Sequence, residues 1–254
     1  MAAFKGALID LGGVVYLGNK PLPGAIEALG RLREAGLPVR FLTNTTRTPH
    51  GALLAKLEKM GLAVGLEQLF TPAQAARRLI AEESLRSHLL VRPELEDDFA
   101  GIKRGSDALV VGDAGDGFSY AALNAAFRVL DKGARFLALA NNRSFREADG
   151  ELSLDAGPFV AALAFASRRE PVVLGKPSAD FFRAALASMG CEPGEAAMIG
   201  DDVEDDVGGA QALGIAGVLV RTGKYAPGDE ARIDPPPIHV AEDLGAAIGW
   251  LLGD

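Results

Sequence analysis

Four separated segments of the chain carry residue types that do chemistry. Asp10-Leu11-Gly12-Gly13 follows an apolar run. A carboxylate at the C-terminal end of a parallel strand stands where open α/β sheets bind ligands, and glycines let the backbone turn sharply and approach a ligand closely. Phe41-Leu42-Thr43-Asn44-Thr45-Thr46 ends a second apolar run. Its hydroxyls, amide and backbone N–H groups could hold phosphate oxygens at a helix N-terminus, or Thr46 or Thr48 could simply cap that helix. Gly175-Lys176-Pro177-Ser178 precedes a helical pattern. A lysine held in a Gly/Pro turn can neutralise a phosphoryl group as a point charge; a solvated surface lysine is the other reading. Asp201-Asp202-Val203-Glu204-Asp205-Asp206 places five acids in six positions after a strand. Hard divalent cations take carboxylate oxygens, and Mg²⁺ uses one or two of them plus substrate phosphate. An acidic helix N-terminus would account for some of these acids, not for five.

The elements that must position these residues alternate short β-rich runs with amphipathic helices, the pattern of a parallel α/β sheet. Strands are expected over residues 4–9, 39–42, 89–91, 109–111, 136–139, 196–199 and 217–220. Helices are expected over 23–35 (Ile26, Leu29 and Leu32 on one face, Gly36 as the stop), 49–60 (Leu53, Leu57, Met60), 73–83 and 120–130, with one more marked by Phe182, Leu186 and Met189. Charged loops at 94–98 and 143–151 interrupt the middle of the chain. Every motif follows a strand or opens a helix, so all four can converge on one edge of one sheet. From Asp10 to Thr43 is 33 residues, enough for one helix and one strand, and from Lys176 to Asp201 is 25. From Thr43 to Lys176 is 133 residues, far more than a crossover needs. An inserted domain is therefore expected at residues 86–170, within a core built from 1–85 and 171–254.

In their order and types these segments resemble the four motifs of the haloacid dehalogenase-like hydrolases, and the resemblance covers the whole chain. It points to the large-cap (IIA-type) branch that includes phospholysine phosphohistidine inorganic pyrophosphate phosphatase. Residues 112–120 (Gly-Asp-Ala-Gly-Asp-Gly-Phe-Ser-Tyr), residues 200–211 and Arg221-Thr222-Gly223-Lys224 look especially like that branch. The resemblance implies a Rossmann-like doubly wound parallel-sheet core with an inserted α/β cap, and a Mg²⁺-dependent phosphohydrolase acting through an aspartyl-phosphate. Asp10 would be the nucleophile, with Lys176 neutralising nucleophile and phosphate together. Gly12, Thr43, Asn44 and Lys176 would bind substrate. Mg²⁺ would be held by Asp10, the Gly12 carbonyl, Asp201 and Asp206, with Asp202 nearby. Caps of this branch commonly mediate homodimers, so a dimer through the cap is also implied.

One position departs from the family. Two residues after the nucleophile the family usually carries an Asp as general acid and base; here it is Gly12. The carbonyl's metal role survives, the proton-transfer role does not, and such help is typically worth ~10²–10⁴-fold. Alkyl phosphate esters would then be poor substrates. Phosphoramidates, whose nitrogen leaves as a neutral amine once protonated, would need the acid less, so P–N or pyrophosphate bonds become candidate targets. The same glycine motivates a competing reading, a non-catalytic or weakly active phosphate-binding or regulatory protein of the same fold. A receiver-like phosphoacceptor needs no cap. A P-loop fails because Gly175-Lys176 is followed by Pro177 and Gly223-Lys224 by Tyr225, where Ser or Thr is required.

Composition narrows the partners. The 254 residues are 48% apolar and 24% charged, enough to build a sizeable core. Net charge is −8, which argues against nucleic acid or an anionic membrane as partner while leaving room for a small phosphorylated substrate. The single cysteine, Cys191, excludes an intramolecular disulfide. His50, His88 and His239 are too scattered for a histidine metal centre. No apolar run approaches the ~18 residues of a membrane span, and residues 159–166 are stopped by Ser167-Arg168-Arg169. The N-terminus lacks a signal-peptide pattern, so a cytoplasmic protein is expected.

Overall fold

A computed structural model describes residues 4–146 and 151–254. In chain order the elements are β1 (Gly6–Asp10), β2 (Tyr16–Leu17), β3 (Lys20–Pro21), α1 (Ala25–Glu34), β4 (Val39–Leu42), α2 (His50–Lys59), β5 (Leu69–Phe70) and α3 (Pro72–Glu82). There follow β6 (Ser87–Leu90), β7 (Ala108–Val111), α4 (Tyr120–Asp131), β8 (Arg135–Ala138), β9 (Ser144–Arg146), β10 (Leu152–Leu154), α5 (Gly157–Ser167) and β11 (Val172–Val173). The chain closes with α6 (Ala179–Ala187), β12 (Ala196–Gly200), α7 (Gly209–Gln211), β13 (Ala216–Val220), β14 (His239–Ala241) and α8 (Leu244–Leu252). None of the described helices is long and apolar enough to cross a membrane.

The chain divides into two compact units. The first comprises Met1–Thr43, Leu54–Phe70 and Lys176–Asp254; the second comprises Asn44–Leu53 and Thr71–Gly175. The boundary therefore falls before α3, not at residue 86. The reason is packing: Ala73, Ala76 and Ile80 of α3 share one core with Val110, Leu137 and Leu139 of the second unit's sheet.

The first unit holds a six-stranded sheet in the order β14-β13-β12-β1-β4-β5, every pair parallel. This is a doubly wound arrangement: the chain builds outward from β1 through β4 to β5, then returns to β12 and builds the other way. β1 and β12 flank the point where the order reverses, and ligands bind outside the carboxyl ends of strands at such a point. β1 and β12 are buried along their whole lengths, as strands covered on both faces must be, so each reads as a continuous apolar run.

The second unit holds a four-stranded parallel sheet in the order β11-β8-β7-β6, with no reversal. Side chains alternate along its strands. Val110 and Leu137 enter the core shared with α3, whereas Leu109, Val111, Phe136 and Ala138 pack with Ala126 and Leu130 of α4 and Val160 and Leu163 of α5. The segment expected as a charged loop at 94–98 is instead a short helical stretch, Pro93–Phe99, that buries Leu95 and Phe99 in the first of these cores. Of the charged loop expected at 143–151, residues 147–150 lie outside the described residues. On either side of them β9 and β10 pair antiparallel.

Candidate active site

Two strand ends and the segment leading into one helix of the first unit supply the site. Asp10 closes β1, Asp201 follows the last residue of β12, and Lys176 precedes α6. Because Ile9 is in register with Ile199, the two acids leave the sheet side by side at the reversal point. Asp10, Lys176, Asp201 and Asp206 are all buried. The Lys176 ammonium donates to Asp10 Oδ1 and lies 2.6 Å from Asp206 Oδ1. Asp10, Asp201 and Asp206 each present a carboxylate oxygen, all within 4.8 Å of one another.

Local structure explains how Asp206 reaches this cluster. After Asp201 the backbone makes one π-type helical turn, Val203–Gly208, and such wide turns recur at functional sites. The Val207 N–H donates to the Asp202 carbonyl five residues back. Gly200 supplies the room: a Cβ there would lie 2.3 Å from the Asp206 side chain. The five acids therefore do different things. Asp201 and Asp206 turn inward, while the Asp202 side chain caps the turn, accepting from the Glu204 and Asp205 N–H groups at 3.1 and 3.0 Å. Glu204 pairs with Arg232 at the surface.

Charge is unbalanced at the cluster. Three buried carboxylates face one buried ammonium, and burying unpaired charge is costly. Burial pushes the Asp201 carboxyl well above the usual carboxylate range, and the Asp10 charge pushes it further. Burial does the same to Asp206, against the pull of Lys176. Burial works against the Lys176 charge, but the Asp10 and Asp206 carboxylates outweigh it and hold the ammonium firmly protonated. Asp206 Oδ1, although close to that ammonium, accepts no well-aligned hydrogen bond. An all-oxygen donor set with a surplus of negative charge fits a hard divalent cation.

Thr43 is buried in the first unit, directly after β4, and its N–H donates to the Phe70 carbonyl. Asn44, the next residue, belongs to the second unit. There a Cβ on Gly175 would come within 2.6 Å of Asn44 Oδ1 and 3.0 Å of the Leu139 carbonyl. Only glycine fits before Lys176. Gly12 is exposed, and no atom lies within 4 Å of the position a Cβ would take.

Sequence reasoning left one set of site residues without a role: Thr222, Gly223 and Lys224, which follow β13. The Lys224 N–H donates to Asp201 Oδ2 at 2.7 Å, and its ammonium reaches Asp202 Oδ2 at 3.0 Å. Their place beside the third strand end of the reversal point could have been inferred; the hydrogen bonds could not. Residues 112–120 serve the second unit instead. Buried Asp113 accepts from Arg47, lies 3.5 Å from Arg92, and receives the Gly115 N–H, while Ser119 caps α4. Of the histidines, His50 donates its backbone N–H to Asp98, and the His239 ring stacks on Trp250.

Comparison with known proteins agrees with this geometry. A haloacid dehalogenase-like hydrolase family model matches residues 7–116, and a second model described as HAD-hydrolase-like matches residues 173–247. Haloacid dehalogenase-like hydrolase domain-containing protein 2 of Homo sapiens is 44% identical over 251 residues, spanning 98% of this chain and 96% of that protein. The chain belongs to the haloacid dehalogenase-like hydrolases. Phospholysine phosphohistidine inorganic pyrophosphate phosphatase of Danio rerio is 39% identical over 260 residues, 99% of this chain and 96% of that protein. Among solved structures, p-nitrophenyl phosphatase from Archaeoglobus fulgidus superposes with a TM-score of 0.91 at 28% identity, covering 98% and 99% of the two chains. This hydrolase thus falls in the large-cap branch.

Proposed function

We propose that this hydrolase is a Mg²⁺-dependent phosphatase that works through an aspartyl-phosphate on Asp10. The observation that carries the reading is the cluster itself: three buried carboxylates at a sheet reversal point, with a single buried lysine bridging two of them. One carboxylate oxygen of Asp10 attacks phosphorus, and the bond from phosphorus to the leaving group breaks with its electron pair going to that group. Water then attacks the aspartyl-phosphate, releasing inorganic phosphate and restoring the carboxylate. Lys176 pairs with the Asp10 carboxylate and neutralises phosphoryl oxygens. Thr43 and Asn44 bind those oxygens. Asp10, Asp201, Asp206 and the Gly12 carbonyl would hold Mg²⁺, which supplies further neutralisation of the phosphoryl charge.

The substrate is a small phosphorylated molecule, and P–N or pyrophosphate bonds suit a site without an acid at Gly12. The Danio rerio relative, a phospholysine phosphohistidine inorganic pyrophosphate phosphatase, supports that class. The phosphatase relatives and the intact lysine–carboxylate cluster favour turnover over a silent phosphate binder. The second unit would act as the cap. A homodimer through it accords with its exposed Tyr120, Leu152, Leu154 and Phe165.

Phosphate release from p-nitrophenyl phosphate and imidodiphosphate, with and without Mg²⁺, tests the proposal. Wild type should turn over only with Mg²⁺, and Asp10→Asn should lose turnover with its melting temperature retained. Near-wild-type turnover by a folded Asp10→Asn would refute the covalent mechanism.

A further inference from the structure

We propose that Thr222 is a positioning residue for the cation site, holding the turn after β1 against Asp201. The inference rests on the reading that Asp10, Asp201 and Asp206 bind Mg²⁺. Thr222 Oγ1 donates to the Gly13 carbonyl at 2.6 Å. Gly13 lies three residues beyond Asp10, so this bond ties the loop after β13 to the turn that carries the nucleophile.

The two loops approach so closely that neither glycine leaves room for a Cβ. Gly13 has φ 87 and Gly223 has φ 59, left-handed conformations that favour glycine. A Cβ on Gly13 would lie 2.2 Å from Asp201 Oδ2 and 2.9 Å from Gly223 Cα. A Cβ on Gly223 would lie 1.9 Å from the same oxygen and 2.7 Å from Gly13 Cα. Asp201 Oδ2 is therefore wedged against two bare glycine backbones, and the Lys224 N–H holds it there at 2.7 Å. Two residues of one loop, on either side of Gly223, thus grip the two strand ends that must both present oxygens to one ion: Thr222 grips the β1 turn, and the Lys224 amide grips Asp201.

Metal ligands must be placed to about 0.2 Å. Losing an outer partner of a ligand typically weakens metal binding ~10–100-fold. A hydroxyl that merely joined two surface loops would change melting without changing the affinity for the ion.

Thr222→Val removes the hydroxyl at nearly constant shape, and Thr222→Ser keeps it. Mg²⁺ is titrated calorimetrically into each full-length protein, and melting is followed with and without Mg²⁺. Thr222→Val should bind Mg²⁺ at least about 10-fold more weakly and lose most of the melting shift that Mg²⁺ induces, whereas Thr222→Ser should stay within about 3-fold of wild type. Thr222→Ala takes the place of the valine variant should that one not fold. Wild-type affinity in a folded Thr222→Val, or a Thr222→Ser as weak as Thr222→Val, would overturn the positioning role alone. A wild-type protein that takes up no Mg²⁺ would overturn the cation reading and this role with it.

Discussion

Gly12→Asp puts a carboxylic acid two residues after the proposed nucleophile, and the structure determines what that substitution can cost. Gly12 is exposed, its φ is not among the positive ones, and a Cβ meets nothing within 4 Å. The ~1–3 kcal/mol penalty of a strained backbone therefore does not arise, and stability should stay within ~0.5 kcal/mol of wild type, as for other surface substitutions. Electrostatics help the new group. Asp10, Asp201 and Asp206 already crowd the strand ends, and neighbouring carboxylates favour the protonated form of an added one. A positioned general acid is worth ~10²–10⁴-fold. An acid with no partners to orient it should realise a part of that, about 10-fold, or ~1.4 kcal/mol of barrier. The assay compares kcat/KM for an alkyl phosphate with that for a phosphoramidate, alongside melting temperature. The alkyl ester, whose leaving group needs a proton, should gain; the phosphoramidate should change less. A stable variant with no selective gain would mean that the missing acid does not limit this protein. Equal losses on both substrates with lowered melting would mean that Gly12 is required for backbone shape.

Two further outcomes follow from the buried charges. Lys176→Met strands Asp10 and Asp206 without their shared counter-charge, so the metal-free protein at neutral pH should lose ~3–5 kcal/mol. Mg²⁺ should restore part of that loss; denaturant unfolding with and without Mg²⁺ checks both, and an unchanged midpoint would refute the ion-pair argument. The pH dependence has a definite sign. Burial holds Asp201 and Asp206 above the ordinary carboxylate value, so from about pH 4 upward the native state binds more protons than the unfolded state. Their contribution to metal-free stability should fall as pH rises through that window, and saturating Mg²⁺ should flatten the fall. Mutant cycles with Asp201→Asn and Asp206→Asn isolate it; a contribution that rises with pH would refute the assignment.

Much of this molecule was legible in the chain because its signals are local. The runs at 39–42, 109–111 and 196–199 become strands with the expected residues buried, since a sheet covered on both faces needs continuous apolar segments. The helices at α1, α3 and α4 follow their apolar periodicity, and Asp10, Lys176 and Asp201 meet because each stands at or just past a strand end or just before a helix. Other elements had no such signal. α5 carries apolar residues all round, so period alone cannot mark it, and the late β14 and α8 follow a proline-rich stretch that masks their start. Tertiary structure alone decided three things. α3 joins the second unit because its buried face fits that sheet, a matter of complementarity between distant segments. Asp206, and not Asp202, enters the cluster because a wide helical turn and the bare Gly200 make room for it. Thr222, Gly223 and Lys224 gained their place because a hydrogen bond between loops separated by about two hundred residues is set by where the strands end in space, and no local pattern in the chain encodes that distance.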